Sequence, residues 1–113
     1  MDAPELRLVL TSLDDESAAA ALARALVEER LAACVNVVPG AHSIYRWKGA
    51  VETARECLLV IKTTADAAPR VVARVRALHP YELPEIVILA TAGADAAYAD
   101  WVAESVDAEG AEQ

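Results

Sequence analysis

The sequence predicts an α+β sandwich in which a four-stranded antiparallel sheet carries two helices on one face. Three observations lead there. Segments of two-residue alternation and segments of helical periodicity follow one another in the order β-α-β-β-α-β, with one further helix at the end. The 113 residues suffice for one core and therefore one domain spanning 1–113. Finally, the apolar run Leu58–Ile61 at the centre of a long strand reads as sheet covered on both faces.

The elements follow in order. From Glu5 to Ser12, Leu6, Leu8 and Leu10 alternate with Arg7, Val9 and Thr11, which is a strand. Ser12-Leu-Asp-Asp supplies capping oxygens, and Asp15, Glu16 and Ser17 suit a helix start. That helix runs to about Leu31, with Leu22, Ala23, Leu26 and Val27 as its apolar stripe and Arg24 and Glu28 opposite. Cys34–Val38 is a second strand, interrupted at Pro39-Gly40 because proline lacks a ladder donor; sheet character resumes over Ser43–Trp47. Lys48-Gly49 makes the turn into a long strand, Val51–Thr63. Asp66 is the expected cap of a second helix, with Pro69 in its first turn and Val71, Val72, Val75 and Leu78 as its buried stripe. Glu85–Thr91 is the fourth strand. A terminal helix over Ala94–Val106 sets Tyr98 and Trp101 on one face, and 107–113 is expected to fray. This order is that of the split βαβ, or ferredoxin-like, fold. It leaves the second sheet face uncovered, with Val, Leu and Cys side chains that water penalises, so oligomerisation is expected.

Composition narrows the function. The formal net charge of −8 argues against nucleic acid or an anionic membrane as partner, since neither attracts an acidic protein at long range. No apolar run is long enough to span a bilayer, and the start lacks the basic and apolar regions of a signal peptide. Cys34 and Cys57 lie in apolar runs without CxxC or zinc-finger spacing, so free thiols in a reducing, cytoplasmic setting are expected. Neither a GxSxG, HExxH or P-loop motif nor a GxGxxG occurs, and neither cysteine lies among basic residues that would activate it, so no enzymatic activity is expected. No cofactor is obligatory on this reading.

Two stretches, Ala33–Gly49 and Leu78–Glu85, contain both histidines, three of the five aromatic residues and three of the five prolines. A site is expected between them. His79, held between a helix end and Pro80, is the candidate ligand for Cu(II) or another divalent cation, with Glu82 or Glu85, or copies of His79 from other protomers, completing the set. One imidazole makes no closed site, and the alternative is a helix-terminating loop whose imidazole bonds a backbone carbonyl. Cys34 is either a thiolate metal ligand or a small strand hydrophobe. Cys57 reads as core, and His42 as a solvated loop residue.

The series Leu31-Ala-Ala-Cys-Val-Asn-Val-Val-Pro-Gly, Ser43-Ile-Tyr-Arg-Trp-Lys-Gly, Leu59-Val-Ile-Lys-Thr, His79-Pro-Tyr-Glu-Leu-Pro-Glu and Tyr98-Ala-Asp-Trp resembles the CutA family of divalent-cation tolerance proteins from about Leu8 to Val106. The resemblance implies a ferredoxin-like fold and a homotrimer in which long strands extend a neighbour's sheet, as in PII-type signal proteins. It also implies a role in tolerance of copper and other divalent metals. Cys34 falls on the family's cysteine. Of the copper ligands proposed for some members, a first-strand cysteine falls here on Leu10 and the first histidine of a pair on Leu78, which leaves only His79. Asn36, Ser43, Tyr45, Trp47, Lys62, Tyr81 and Glu85 match recurrent polar and aromatic positions of the family. They imply either a small-ligand pocket at an inter-subunit cleft or a trimer seam with a Lys62–Glu85 ion pair.

Overall fold

The computed structural model describes residues 4–107. The elements are β1 (Leu6–Leu13), α1 (Glu16–Glu28), β2 (Cys34–Trp47), β3 (Ala50–Thr64), α2 (Ala68–Leu78), β4 (Val87–Ala90) and α3 (Ala96–Ser105). The sheet order is β2-β3-β1-β4 and every pairing is antiparallel. This is the expected ferredoxin-like topology.

Local chemistry sets the helix limits. The Asp15 carboxylate accepts the Ala18 N–H at 3.1 Å and starts α1. The helix ends at Glu28 rather than near Leu31, because Arg30 takes φ +60° and the Leu31 and Ala32 N–H groups turn back to the Leu26 carbonyl. Asp66 does not cap α2. The Thr64 hydroxyl accepts the Ala67 N–H at 3.1 Å, while Asp66 pairs with Arg70. Of the expected stripe on α2, Val71 and Val75 are fully buried, Val72 is half-buried and Leu78 faces solvent.

The main core lies between the helices and one sheet face. Val9, Leu13, Leu59 and Ile61 meet Leu22, Leu26, Val71 and Val75, with Cys57 beside them. Each such side chain stabilises the fold by roughly 1.5–3 kcal/mol through area removed from water. The second face is not bare throughout. Ala99, Val102 and Val106 of the α3 segment bury Leu6, Ala33 and Ala67 at one end of it. Val38, Val87 and Leu89 on that face stay exposed. Asp107, expected to begin a frayed tail, is held instead: its N–H bonds the Arg30 carbonyl and its carboxylate takes the Arg30 Nε–H at 2.8 Å. The rest of that tail lies outside the described residues.

Two strands depart from expectation. β4 is four residues long instead of seven: Val87–Ala90 pair with β1, while Glu85 and Thr91, outside the ladder, meet β1 only through their side chains, at Ser12 and at the Leu6 carbonyl. β2 runs unbroken through Pro39-Gly40. Val38 pairs with Leu58 and Ala41 with Glu56, so two residues of β2 oppose the single Cys57 in a β-bulge, with Gly40 at φ +80°. β1 reaches only to Cys57 of β3, so 41–47 and 50–56 continue as a two-stranded arm beyond the sheet. No described helix is long and apolar enough to cross a membrane.

Candidate functional site

The bulge builds the site. In an unbroken strand Asn36 and Ser43 would face opposite sides, since successive side chains alternate. The extra residue shifts the alternation, so Ser43, Tyr45 and Trp47 come to the same face as Asn36, opposite Ala54, Glu52 and Ala50 respectively. The arm thereby presents an aromatic wall toward the loop that follows α2.

Between them lies an open cleft of about 760 Å³. Tyr45 and Trp47 line it from the arm and Tyr81 from the loop. Its carboxylates are Asp14, Glu56, Glu82 and Glu85, and its one positive side chain is that of Arg46. At its floor the hydroxyl of Ser12, a residue 9% exposed, stands 3.4 Å from both Glu56 Oε1 and Glu85 Oε1. Tyr81 donates its phenolic hydrogen to Glu56 Oε2 at 2.7 Å. Burial, then the neighbouring Glu56 carboxylate, pushes the Tyr81 phenol well above the usual tyrosine range, so it remains a neutral donor.

His79 does not serve this cleft as a ligand. It is buried at 7% exposure, with Nε2 2.8 Å from the Ser12 carbonyl and Nδ1 accepting the Tyr81 N–H at 3.2 Å. A carbonyl only accepts and an N–H only donates, so both ring nitrogens are committed and neither lone pair is free for a metal. Of the two sequence readings of His79, the loop that bonds a backbone carbonyl is the one the fold adopts. The Tyr81 ring meets the imidazole in a T-shaped arrangement, with 4.7 Å between centroids and 66° between planes.

Cys34 and Lys62 sit at the other end of the sheet, with Lys62 Nζ 3.9 Å from Cys34 Sγ. The expected Lys62–Glu85 ion pair does not form. Lys62 is opposite Leu8, whereas Glu85 meets Ser12, four residues along β1 and so about 13 Å away. Asn36 shares the face of Ser43 but does not line the cleft. Glu82 and Glu85 do line it, and among the described residues no group of three His, Cys, Asp or Glu is placed to hold a metal ion. Sequence reasoning missed Ser12, Asp14 and Glu56. Ser12 and Asp14 were legible only as capping oxygens, and Glu56 reaches Ser12 through a pairing 44 residues apart in the chain.

A family model described as CutA1 divalent ion tolerance protein matches residues 7–105. The chain belongs to the CutA1 family. The resemblance read from its motifs is therefore correct. A divalent-cation tolerance protein CutA from Thermus thermophilus is 53% identical over 98 residues, 87% of this chain and 95% of that one. Human Protein CutA is 44% identical over 88 residues, 78% of this chain but 49% of its own length, so the CutA1 domain here spans about half of the human protein. Among solved structures, the Thermus thermophilus Cut A1 protein superposes with a TM-score of 0.87 at 51% identity, covering 90% of this chain and 99% of that one. Rice CutA1 gives 0.89 at 35% identity, covering 93% and 96%. The names of other CutA relatives carry the words chloroplastic and periplasmic. The match spans β1 to α3, and so includes the arm, the bulge and the loop that make the cleft.

Proposed function

We propose that this CutA1 protein acts in divalent-cation tolerance without catalysing a reaction, as a homotrimer that binds divalent cations, Cu(II) among them, weakly through Glu82 and Glu85. The observation that supports this is the division of labour in the site: carboxylates line the cleft while both nitrogens of His79 are engaged with the backbone. Carboxylate oxygens alone suit hard, partly hydrated cations and give Cu(II) or Zn(II) no closed nitrogen or sulfur site. Affinities in the range of about 10⁻⁴–10⁻³ M are expected for so open a set. The exposed second sheet face and the projecting arm supply apolar surface for the trimer. Free Cys34 and Cys57 suit a reducing, cytoplasmic setting.

Titration calorimetry with Cu(II), Zn(II) and Mg(II) tests the metal reading. Weak heats that persist in His79→Gln and vanish in the Glu82→Gln/Glu85→Gln double variant are expected. No heat in the wild type, or heat lost only with His79, overturns it.

One observation favours a second reading. A cleft of about 760 Å³ with an aromatic wall has the size and lining of small-molecule sites, which run roughly 300–1,000 Å³. In that reading the protein is a PII-like regulatory binder of a small ligand, and the arm carries the signal of occupancy to neighbouring subunits.

A further inference from the structure

We infer that the small ligand this cleft takes is an organic dication bearing primary amines, a diamine or polyamine, with one ammonium on Glu56, Ser12 and Glu85 and its methylene chain along Tyr45 and Trp47. The inference rests on the small-ligand reading of the cleft.

At the floor of the cleft the protein's own hydrogen-bond donors are fewer than its acceptors, and in the free protein water serves the rest. Ser12 has one hydroxyl hydrogen, yet its oxygen stands 3.4 Å from a carboxylate oxygen of Glu56 and equally far from one of Glu85. Ionised carboxylates only accept, so the Ser12 hydrogen serves one of them and leaves the other facing a bare oxygen. The second oxygen of Glu56 already has its donor in the Tyr81 phenol. A primary ammonium brings three N–H donors on one centre. It can bond both free carboxylate oxygens and the Ser12 lone pair at once, as charge-assisted bonds.

The rest of the cleft selects the body of the ligand. Four carboxylates against one guanidinium make the lining a cation site by sign. Those carboxylates do not converge: no three are placed to hold a metal ion among the described residues. Charges spread around a cleft fit a ligand whose own charges are separated by a chain, and Glu82, which pairs with no side chain among the described residues, stands to meet the second ammonium. Between the charges, Tyr45 and Trp47 line the cleft; Lys48 Nζ already stands 5.7 Å from the centroid of the Trp47 ring, so Tyr45 and the remaining face of Trp47 are left to pack methylene groups and attract a cation.

The probe is spermidine, titrated into the purified full-length assembly carrying Trp101→Phe, so that Trp47 is the only tryptophan left to report. A saturable change in Trp47 emission is expected, with tetramethylammonium, which has charge but no N–H, and Mg(II) each at least about tenfold weaker. By calorimetry, Glu85→Gln and Trp47→Leu should each weaken spermidine about tenfold or more, and Glu104→Gln, a carboxylate outside the cleft, should leave it unchanged. Equal weakening by Glu104→Gln would reduce the effect to attraction by the net charge and overturn the proposal. Equal binding of tetramethylammonium would overturn the role of the N–H donors. The two levels fail separately: a saturable Trp47 response to citrate but none to spermidine overturns the amine and keeps the cleft, whereas silence toward both overturns the small-ligand reading itself.

Discussion

The Nε2 of His79 lies 2.8 Å from the carbonyl oxygen of Ser12, joining the residue that ends α2 to the penultimate residue of β1. Ser12 thus faces two ways. Its carbonyl is held from behind by a buried imidazole, and its hydroxyl stands between two glutamates in the cleft. The Tyr81 N–H on Nδ1 leaves the proton on Nε2, so tautomer and ring orientation are both determined by backbone groups. In this protein His79 positions the cleft floor.

Replacing His79 with alanine removes a buried ring and the partner of a buried carbonyl. A loss of about 2–4 kcal/mol is expected, read from the urea midpoint. Metal heats in the folded fraction should persist. A variant as stable as wild type but unable to bind metal would reverse the role assigned to the residue.

The bulge makes a sharper prediction. Gly40→Ala should cost only about 1 kcal/mol, since an added Cβ meets nothing within 4 Å and the penalty is that of φ +80° alone. Deleting Gly40 restores one-to-one pairing and turns Ser43, Tyr45 and Trp47 to the other face. Far-UV circular dichroism should then stay near wild type while any ligand response of Trp47 disappears. Retention of that response in the deletion variant would show that the register shift is not what forms the cleft.

Tyr81 gives a pH dependence of defined sign. Its folded-state phenol titrates above the ordinary tyrosine value, so folding favours the neutral form. The contribution is complete below the unfolded value near 10 and is lost as pH rises above it toward the folded value. Wild-type stability should therefore fall more steeply than that of Tyr81→Phe between about pH 10 and pH 12. At neutral pH, Tyr81→Phe should cost about 1 kcal/mol for the bond to Glu56. Parallel stability curves for the two proteins across that window would refute the assignment.

Val38 tests the assembly. It is 45% exposed on the second sheet face, where an isolated chain should tolerate aspartate within about 0.5 kcal/mol. In the proposed homotrimer the same charge is buried, so Val38→Asp should lower the mass measured by light scattering. A wild-type mass equal to one chain would remove the trimer from the proposal. An unchanged trimer in the variant would move the interface away from Val38.

Part of the cleft wall was legible before the fold. Ser43, Tyr45, Trp47, Tyr81, Glu82 and Glu85 were singled out as site residues, and all line the cleft. Their residue types are distinctive, and they cluster in two short stretches of the chain. Its floor was not legible, because Ser12, Glu56 and Glu85 are brought together only by strand pairing and a loop, with Glu56 and Glu85 standing 44 and 73 positions beyond Ser12 in the chain. His79 was chosen for its chemistry and its place before Pro80, and Lys62 and Cys34 on the family resemblance. Chemistry shows what a side chain can bond, not what already occupies it.

By itself the sequence determined the order of elements, the sandwich and the family, because alternation, helical period, capping oxygens and turn residues act over a few neighbours. Tertiary structure alone decided that Pro39-Gly40 is a bulge within β2 rather than its end, that α3 closes one end of the second face, and that His79 is spent on Ser12 and Tyr81. Each depends on which distant backbone groups lie opposite, and a donor or acceptor is free only if nothing else in the fold has reached it first.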